Sequence, residues 1–254
     1  VVSINGGDEI EKLTPQFPSV SFRVATRDAQ TAAGRPLVSL DDVLAALRDQ
    51  NRALSGIVNS DIVLGPLGGE PLAGALSRMA GEGLAFNKRM DQQTESDPGV
   101  RYDLGIDAFF FGRKLLFGYP ATSFFLGLPW WDYFFAAFPL VAGYPVVEIN
   151  EPIAFHLVHP SLYDVSAHWI PLGAEALRLL GPLFSNKQEL LAASGMDAAV
   201  AAIGWLIDAM GSNDVAALED VFNQFAEATI QLLKEGTRGP DGPPDPASAV
   251  VREV

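Results

Sequence analysis

Between residues 101 and 170 the chain gathers 18 of its 25 aromatic residues, alongside only three basic and six acidic ones. Pro120, Pro129, Asp132, Pro139 and Pro145 break this run. A membrane-spanning helix needs about 20 predominantly apolar residues with few such interruptions, so no transmembrane helix is expected. The stretch has to bury its rings against the rest of the chain, most simply as a core around a pocket. An interfacial or partner-binding patch is the alternative.

What precedes that run supplies candidate layers for the core. VVSIN at the start reads as a buried strand. Asp8 with Glu11 gives a helix-start pattern that ends at Thr14-Pro15, and Val20, Phe22 and Val24 alternate as a second strand leading to Arg27-Asp28. Ser39 with Asp42 repeats the capping-box pattern, and Leu40, Val43, Leu44 and Leu47 form an amphipathic stripe. A third strand over 54–58 delivers Asn59-Ser60-Asp61. Three short β-α repeats predict an α/β fold, with a mostly parallel central sheet flanked by helices. Residues 67–80 suit a helix, and 84–89 and 107–111 suit further strands. Beyond residue 171 the chain turns Ala/Leu-rich, and Val221, Phe222, Phe225 and Leu232 mark a helix that Asn213 is placed to cap. The expected organisation is therefore a main domain over 1–170, a helical C-terminal appendage over 171–235 and a disordered tail over 236–254, which carries four prolines and three glycines.

Charge narrows the partners. A net charge of -14 excludes a nucleic-acid backbone, which is bound through clustered Lys and Arg. An anionic small molecule needs local help from a metal, a helix N-terminus or a few placed arginines. The chain has no cysteine, so it has no disulfide framework and no thiolate chemistry. That composition fits a reducing, cytoplasmic compartment, with peripheral membrane association left open. No leader pattern precedes the first strand and the first residue is not Met, which leaves room for a longer parent protein.

P-loop, dinucleotide-binding, zincin and α/β-hydrolase signatures are all missing. Four polar groups embedded in apolar sequence remain. In the first, GIVNSDIVLGP, a carboxylate at a strand end either caps a turn or binds a hard cation that holds phosphates. In the second, RYDLGIDAFFF, Asp103 and Asp107 either satisfy backbone donors or line a site. In the third, LGLPWWDYFF, Asp132 either complements a helix start or serves as a base for an acceptor hydroxyl. Trp130 and Trp131 offer rings on which the apolar face of a sugar can stack. In the fourth, AFHLVHPSLYDVSAH, the chain's three histidines, His156, His159 and His168, lie within 13 residues. They read either as structural residues or as nitrogen ligands for a metal.

The order of these stretches, VSINGGDEI…FPSVSFRVATRDA, NSDI, GIDAFFFGR, GLPWWDYFF and FHLVH, resembles bacterial nucleotide-sugar glycosyltransferases of the GT-A type, family 2-like, over about residues 1–165. The resemblance implies a GT-A-like fold, a nucleotide-sugar donor, a glycan or other hydroxyl acceptor, and Mn²⁺ or Mg²⁺. Asn-Ser-Asp takes the place of the family's Asp-x-Asp, so Asp61 is implied as the metal-linked carboxylate, with Asn59 departing from the pattern at the first position. His156 or His159 is implied as the second metal ligand and Asp132 as catalytic base. Arg27, Asp28, Asn59, Ser60 and Asp61 are implied around the nucleotide, with Asp107, Trp130 and Trp131 on the acceptor side. Two other expectations stand beside it. One is a catalytically inactive carbohydrate-binding or scaffolding module, and the other is a metal hydrolase built on the three histidines.

Overall fold

The computed structural model describes residues 1–27, 29–30, 34, 36–67, 71–94, 96–159, 164–210 and 214–237. Its first two strands, β1 (Val2–Asn5) and β2 (Ser21–Val24), pair in parallel with Val2 opposite Ser21, and α1 (Gly7–Leu13) forms part of the crossover between them. Helix α2 (Leu40–Gln50) follows, with Ser39 as its N-cap: the Ser39 hydroxyl accepts from Asp41 N at 3.2 Å. Asp42 was expected to complete a capping box, but its carboxylate accepts from the backbone N–H groups of Thr26 (2.9 Å) and Arg27 (3.0 Å), tying the helix start to the end of β2. Leu40 and Leu44 are fully buried beneath this helix.

From β3 (Leu54–Val58) onward the expected mostly parallel central sheet is not what forms. β1 and β2 make a small parallel sheet of their own. The remaining strands, β4 (Ile62–Leu64), β5 (Leu84–Gln92), β6 (Val100–Gly112), β7 (Val146–Glu148) and β8 (Ala154–Leu157), join β3 in a six-stranded, antiparallel-rich sheet. Its order is β3-β6-β5-β8-β4, with β7 also paired to β5, and it curls into a nearly closed barrel. Pairs β3–β6, β5–β6 and β4–β8 are antiparallel, and only β5–β7 and β5–β8 are parallel. Connection length is one physical reason. A parallel crossover needs a dozen or more residues, whereas β5 reaches its antiparallel partner β6 through residues 93–99, and residues 59–61 leave no room for a helical crossover after β3. Gly56 permits close packing of β3 on β6, since a Cβ there would lie 2.9 Å from the Phe110 ring.

One residue organises the change of partner along β5. The strand pairs with β7 at Leu84–Phe86 and with β8 at Met90–Gln92, and Asn87 lies between the two segments. Its buried amide donates to the carbonyls of Ile149 (2.7 Å) and Glu151 (2.9 Å) and accepts from the N–H groups of Ile153 (3.3 Å) and Ala154 (3.0 Å). The side chain thus substitutes for the ladder where neither strand runs beside it.

α3 (Leu72–Ala80) packs on β5 and β6, and α4 (Arg113–Gly118) follows β6 directly. α5 (Trp131–Val141) is buried along nearly its whole length and carries the aromatic run into the centre. Phe135 stacks on Tyr119 at 4.1 Å and meets Phe109 and Phe111 edge-on. After one π-helical turn (Val165–Trp169) come α6 (Ile170–Leu180), a 3₁₀ turn (Gly181–Asn186), α7 (Gln188–Ser194), α8 (Met196–Met210) and α9 (Val215–Thr237). These helices share one continuous apolar core with the sheet, which runs from Leu40 to Leu233. Asn213, the expected cap, lies outside the described residues, and Asp214 instead accepts from Ala217 N at the start of α9. Residues 236 and 237 complete α9 and the rest of the expected tail lies outside the described residues. Among the described residues no single helix is long and apolar enough to cross a membrane.

Each buried backbone group left without a partner costs about 1–3 kcal/mol. Asn87→Ala orphans several at once and is expected to lower the unfolding free energy by about 3 kcal/mol or more, read from the shift in the denaturant midpoint.

Candidate functional site

The 59–61 turn joins the two edge strands of the larger sheet, and this brings its side chains to the rim of the barrel. Asn59 N donates to Asp107 O at 3.1 Å and Ile62 N closes the turn on Asn59 O at 3.1 Å. Strand β4 then runs antiparallel to β8, with Ile62 opposite His156. Asp61 consequently faces the end of β8: its Oδ2 lies 3.1 Å from His159 Nε2 and 3.5 Å from His156 Nε2. One ligand atom from each of the three residues falls within 4.8 Å of the others. Two ligands about 2.1 Å from a common ion can be at most about 4.2 Å apart, and both Asp61–His separations satisfy this. Two imidazoles and one carboxylate suit a transition-row dication and leave coordination positions for a ligand.

His156 is buried, and its other ring nitrogen is engaged: Nδ1 lies 3.0 Å from Asp91 Oδ1. Arg89 donates from Nε to the same oxygen at 2.8 Å, and its Nη1 donates to Asp107 Oδ2 at 3.1 Å. The Asn59 side-chain amide donates to Asp107 Oδ1. The series His156, Asp91, Arg89, Asp107, Asn59 therefore crosses the sheet from β8 through β5 and β6 to the end of β3. Burial pushes the Asp107 carboxyl up, Arg89 pulls it down, and the negative charge of Asp61 adds to the rise, leaving it above its ordinary value. Burial acts against the Arg89 guanidinium as well, but Asp107 and Asp91 outweigh it and hold its proton more firmly.

Asp132 sits in the first turn of α5. The residue keeps some exposed surface while its carboxyl is enclosed by protein, and this desolvation, reinforced by the charge of Asp107, raises its pKa to about 7. Its helix starts from a strained residue: Trp130 has φ 78° and ψ −20°, a left-handed conformation that bulky residues rarely adopt. Packing holds it there, with Trp169 at 4.8 Å and Phe225 of α9 stacked at 5.1 Å. A Cβ at Gly173 would come within 2.9 Å of the Trp130 ring, so α6 needs glycine at that crossing. Trp131 packs edge-on against Phe109 at 5.3 Å. With exposures of 1% and 2%, neither tryptophan presents a face on which a sugar could stack; the apolar run places both in the core.

A cleft of about 440 Å³ opens beside the Asp61–His156–His159 cluster. β1 contributes Val2 to Asn5, α2 contributes Val43 and Leu47, and β3 with its turn contributes Gly56 to Asp61. Asn59, Ser60 and Asp61 thus all line it. Arg27 does not: its guanidinium is 3.4 Å from Asp41 and lies over the Phe125 ring at 5.7 Å. Asp28 lies outside the described residues. His168 is apart from the other two histidines, its Nδ1 accepting from Asp164 N at 2.9 Å, so the three-histidine metal set is not assembled. Asp103 is a structural partner. Although partial burial works the other way, Lys88 and Arg101 hold its carboxyl below the ordinary value.

Comparison of the chain with protein-family models, with curated proteins and with solved structures gives no match. Arg89 and Asp91, which join the two halves of the site, were not singled out by sequence. The available signal was their spacing of two within one strand, which puts both side chains on one face.

Asp132 is not among the residues lining the cleft, but its carboxyl gives the fold a pH signature. In the unfolded chain it releases its proton near 3.9 and in the folded chain near 7. Between these values the folded state binds the extra proton, so stability falls as pH rises through the window. The rise corresponds to roughly 4 kcal/mol as an upper bound. Asp132→Asn is expected to melt higher than the parent protein at pH 8, with the difference vanishing below about pH 4.

Proposed function

We propose that the protein is a divalent-metal-dependent glycosyltransferase, moving a sugar from a nucleoside-diphosphate donor to an acceptor hydroxyl. The observation that carries this reading is the position of Asp61: it belongs both to the Asp61–His156–His159 donor set and to the wall of the cleft. A cleft of about 440 Å³ is in the range of small-molecule sites. Its apolar walls, among them Ile4, Val43, Leu47 and Ile57, suit a flat base, while Ser3, Asn5 and Glu9 offer polar edges to a base or ribose. The diphosphate is then directed to the Asp61 end.

When bound, the ion supplies positive charge that offsets the charge of the departing diphosphate in a protein of net charge -14. Asp61, His156 and His159 are the residues that would hold it. In the transfer the acceptor oxygen forms a bond to the anomeric carbon, the bond from that carbon to the phosphate oxygen breaks, and the acceptor proton passes to Asp132. A carboxyl with pKa about 7 matches this task, because a base is most effective when its pKa lies near the working pH. Asn59 is explained without a metal role. Its amide donates to Asp107, and an Asp at that position would bring a second carboxylate against a buried one.

Calorimetric titration with UDP or GDP is expected to show heat of binding only when Mn²⁺ is present, and Asp61→Ala is expected to abolish it. Nucleotide binding that ignores both metal and Asp61 would overturn the proposal. Once a donor and acceptor are found, the rate is expected to rise with pH and level off above about 7. Asp132→Asn is expected to lower it by about 10²–10⁴-fold while nucleotide binding is kept. Glycan binding without nucleotide binding would instead mark a carbohydrate-binding module.

A further inference from the structure

We propose that Asp91 is a positioning residue for the metal site: it fixes the tautomer and ring orientation of His156 so that Nε2 presents its lone pair to the ion. This rests on the metal-dependent reading of the Asp61–His156–His159 cluster and adds a residue that never touches the ion.

The geometry makes the assignment. His156 is almost fully enclosed, with 4% of its side chain exposed, so its ring has no water shell to satisfy it. Its two nitrogens face different partners: Nδ1 is 3.0 Å from Asp91 Oδ1, and Nε2 is 3.5 Å from Asp61 Oδ2. Both partners are carboxylate oxygens, which only accept, and only the Nδ1 contact is a short hydrogen bond, so the proton of a neutral imidazole is assigned to Nδ1 and the lone pair to Nε2. That nitrogen points at the other members of the donor set. A histidine ligand whose second nitrogen donates to a carboxylate is a better oriented and more basic ligand than one left to water.

Asp91 is itself constrained. It stands on β5 directly beside His156 on β8, since the two residues are register partners in the parallel pairing of these strands. Arg89, two residues away and therefore on the same face, donates to the same Oδ1 at 2.8 Å and spans to Asp107 at 3.1 Å. The guanidinium holds the Asp91 carboxyl in place while also pairing the buried Asp107. His156, through Asp91, and the buried acid Asp107 are therefore referenced to one arginine.

The test uses the intact chain and Mn²⁺ alone, with free Mn²⁺ measured by its electron paramagnetic resonance signal. Asp91→Ala is expected to weaken Mn²⁺ binding by about 10–100-fold. Asp91→Asn, which retains an oxygen to accept from Nδ1, is expected to recover part of that loss. In the metal-free parent protein, ¹⁵N shifts of the His156 ring are expected to show a protonated Nδ1 and an unprotonated Nε2. A role confined to stability would lower the melting temperature of Asp91→Ala and leave Mn²⁺ affinity within about threefold of the parent, and this result would overturn the proposal. The opposite tautomer at His156 would overturn it too. If the parent protein itself binds no Mn²⁺, the metal-dependent function falls and this inference with it. Unchanged affinity in Asp91→Ala beside a tightly binding parent removes only the role of Asp91.

Discussion

A three-residue connection between two strands leaves the chain no freedom to cross over, and in this protein residues 59–61 make that connection between the two edges of one sheet. The edges are thereby held near one another and the sheet curls almost into a barrel. Everything at the candidate site follows from this closure. Asp61 is carried to the end of β8, where His156 and His159 stand. Asn59 is placed against Asp107, and the other side of the turn forms one wall of the cleft beneath β1 and α2. A longer, more extended connection would separate the carboxylate from the imidazoles.

The site then has to carry charge inside a sheet. Asp107 is buried and could not remain ionised alone. Arg89 and Asn59 supply its partners from the strands on either side, and Asp91 occupies the remaining reach of the guanidinium. These interactions run across neighbouring strands and link the cluster at the rim to Asp107, whose charge in turn acts on the enclosed acid Asp132. The low-dielectric surroundings that make such pairs strict also raise the pKa of Asp132 into the range useful to a base.

The C-terminal helices do more than extend the core. Phe222 and Phe225 of α9, with Trp169, enclose Trp130, whose strained backbone begins the helix that bears Asp132. A bulky residue at positive φ persists only where its surroundings over-determine it. The C-terminal helices therefore set the direction of the helix that carries Asp132. The two tryptophans of the WWD stretch serve this structural end, and Asp132 is the member of the trio left as a candidate for proton chemistry.

Local pattern was enough to identify β1, β2, α2 and β3, the start of α5 with Asp132 in its first turn, and the histidine-bearing stretch around His156 and His159. Each depends on a short-range rule: alternation, a capping residue, or a proline before a helix. The same sequence marked the 101–170 run as a buried aromatic core, because its prolines and charges rule out a spanning helix. It could not decide that β3 pairs antiparallel with β6 or that Asn87 bridges the change of partner along β5. Nor could it place Trp130 inside the core or bring Arg89 and Asp91 to lie between His156 and Asp107. Those facts depend on strand register and on contacts between residues 18 to 95 positions apart, whose energies arise only once the sheet has closed. The sequence by itself determined which residues are available for metal and proton chemistry; the tertiary structure decided which of them meet, because a buried charge is tolerated only where a distant part of the chain provides its partner.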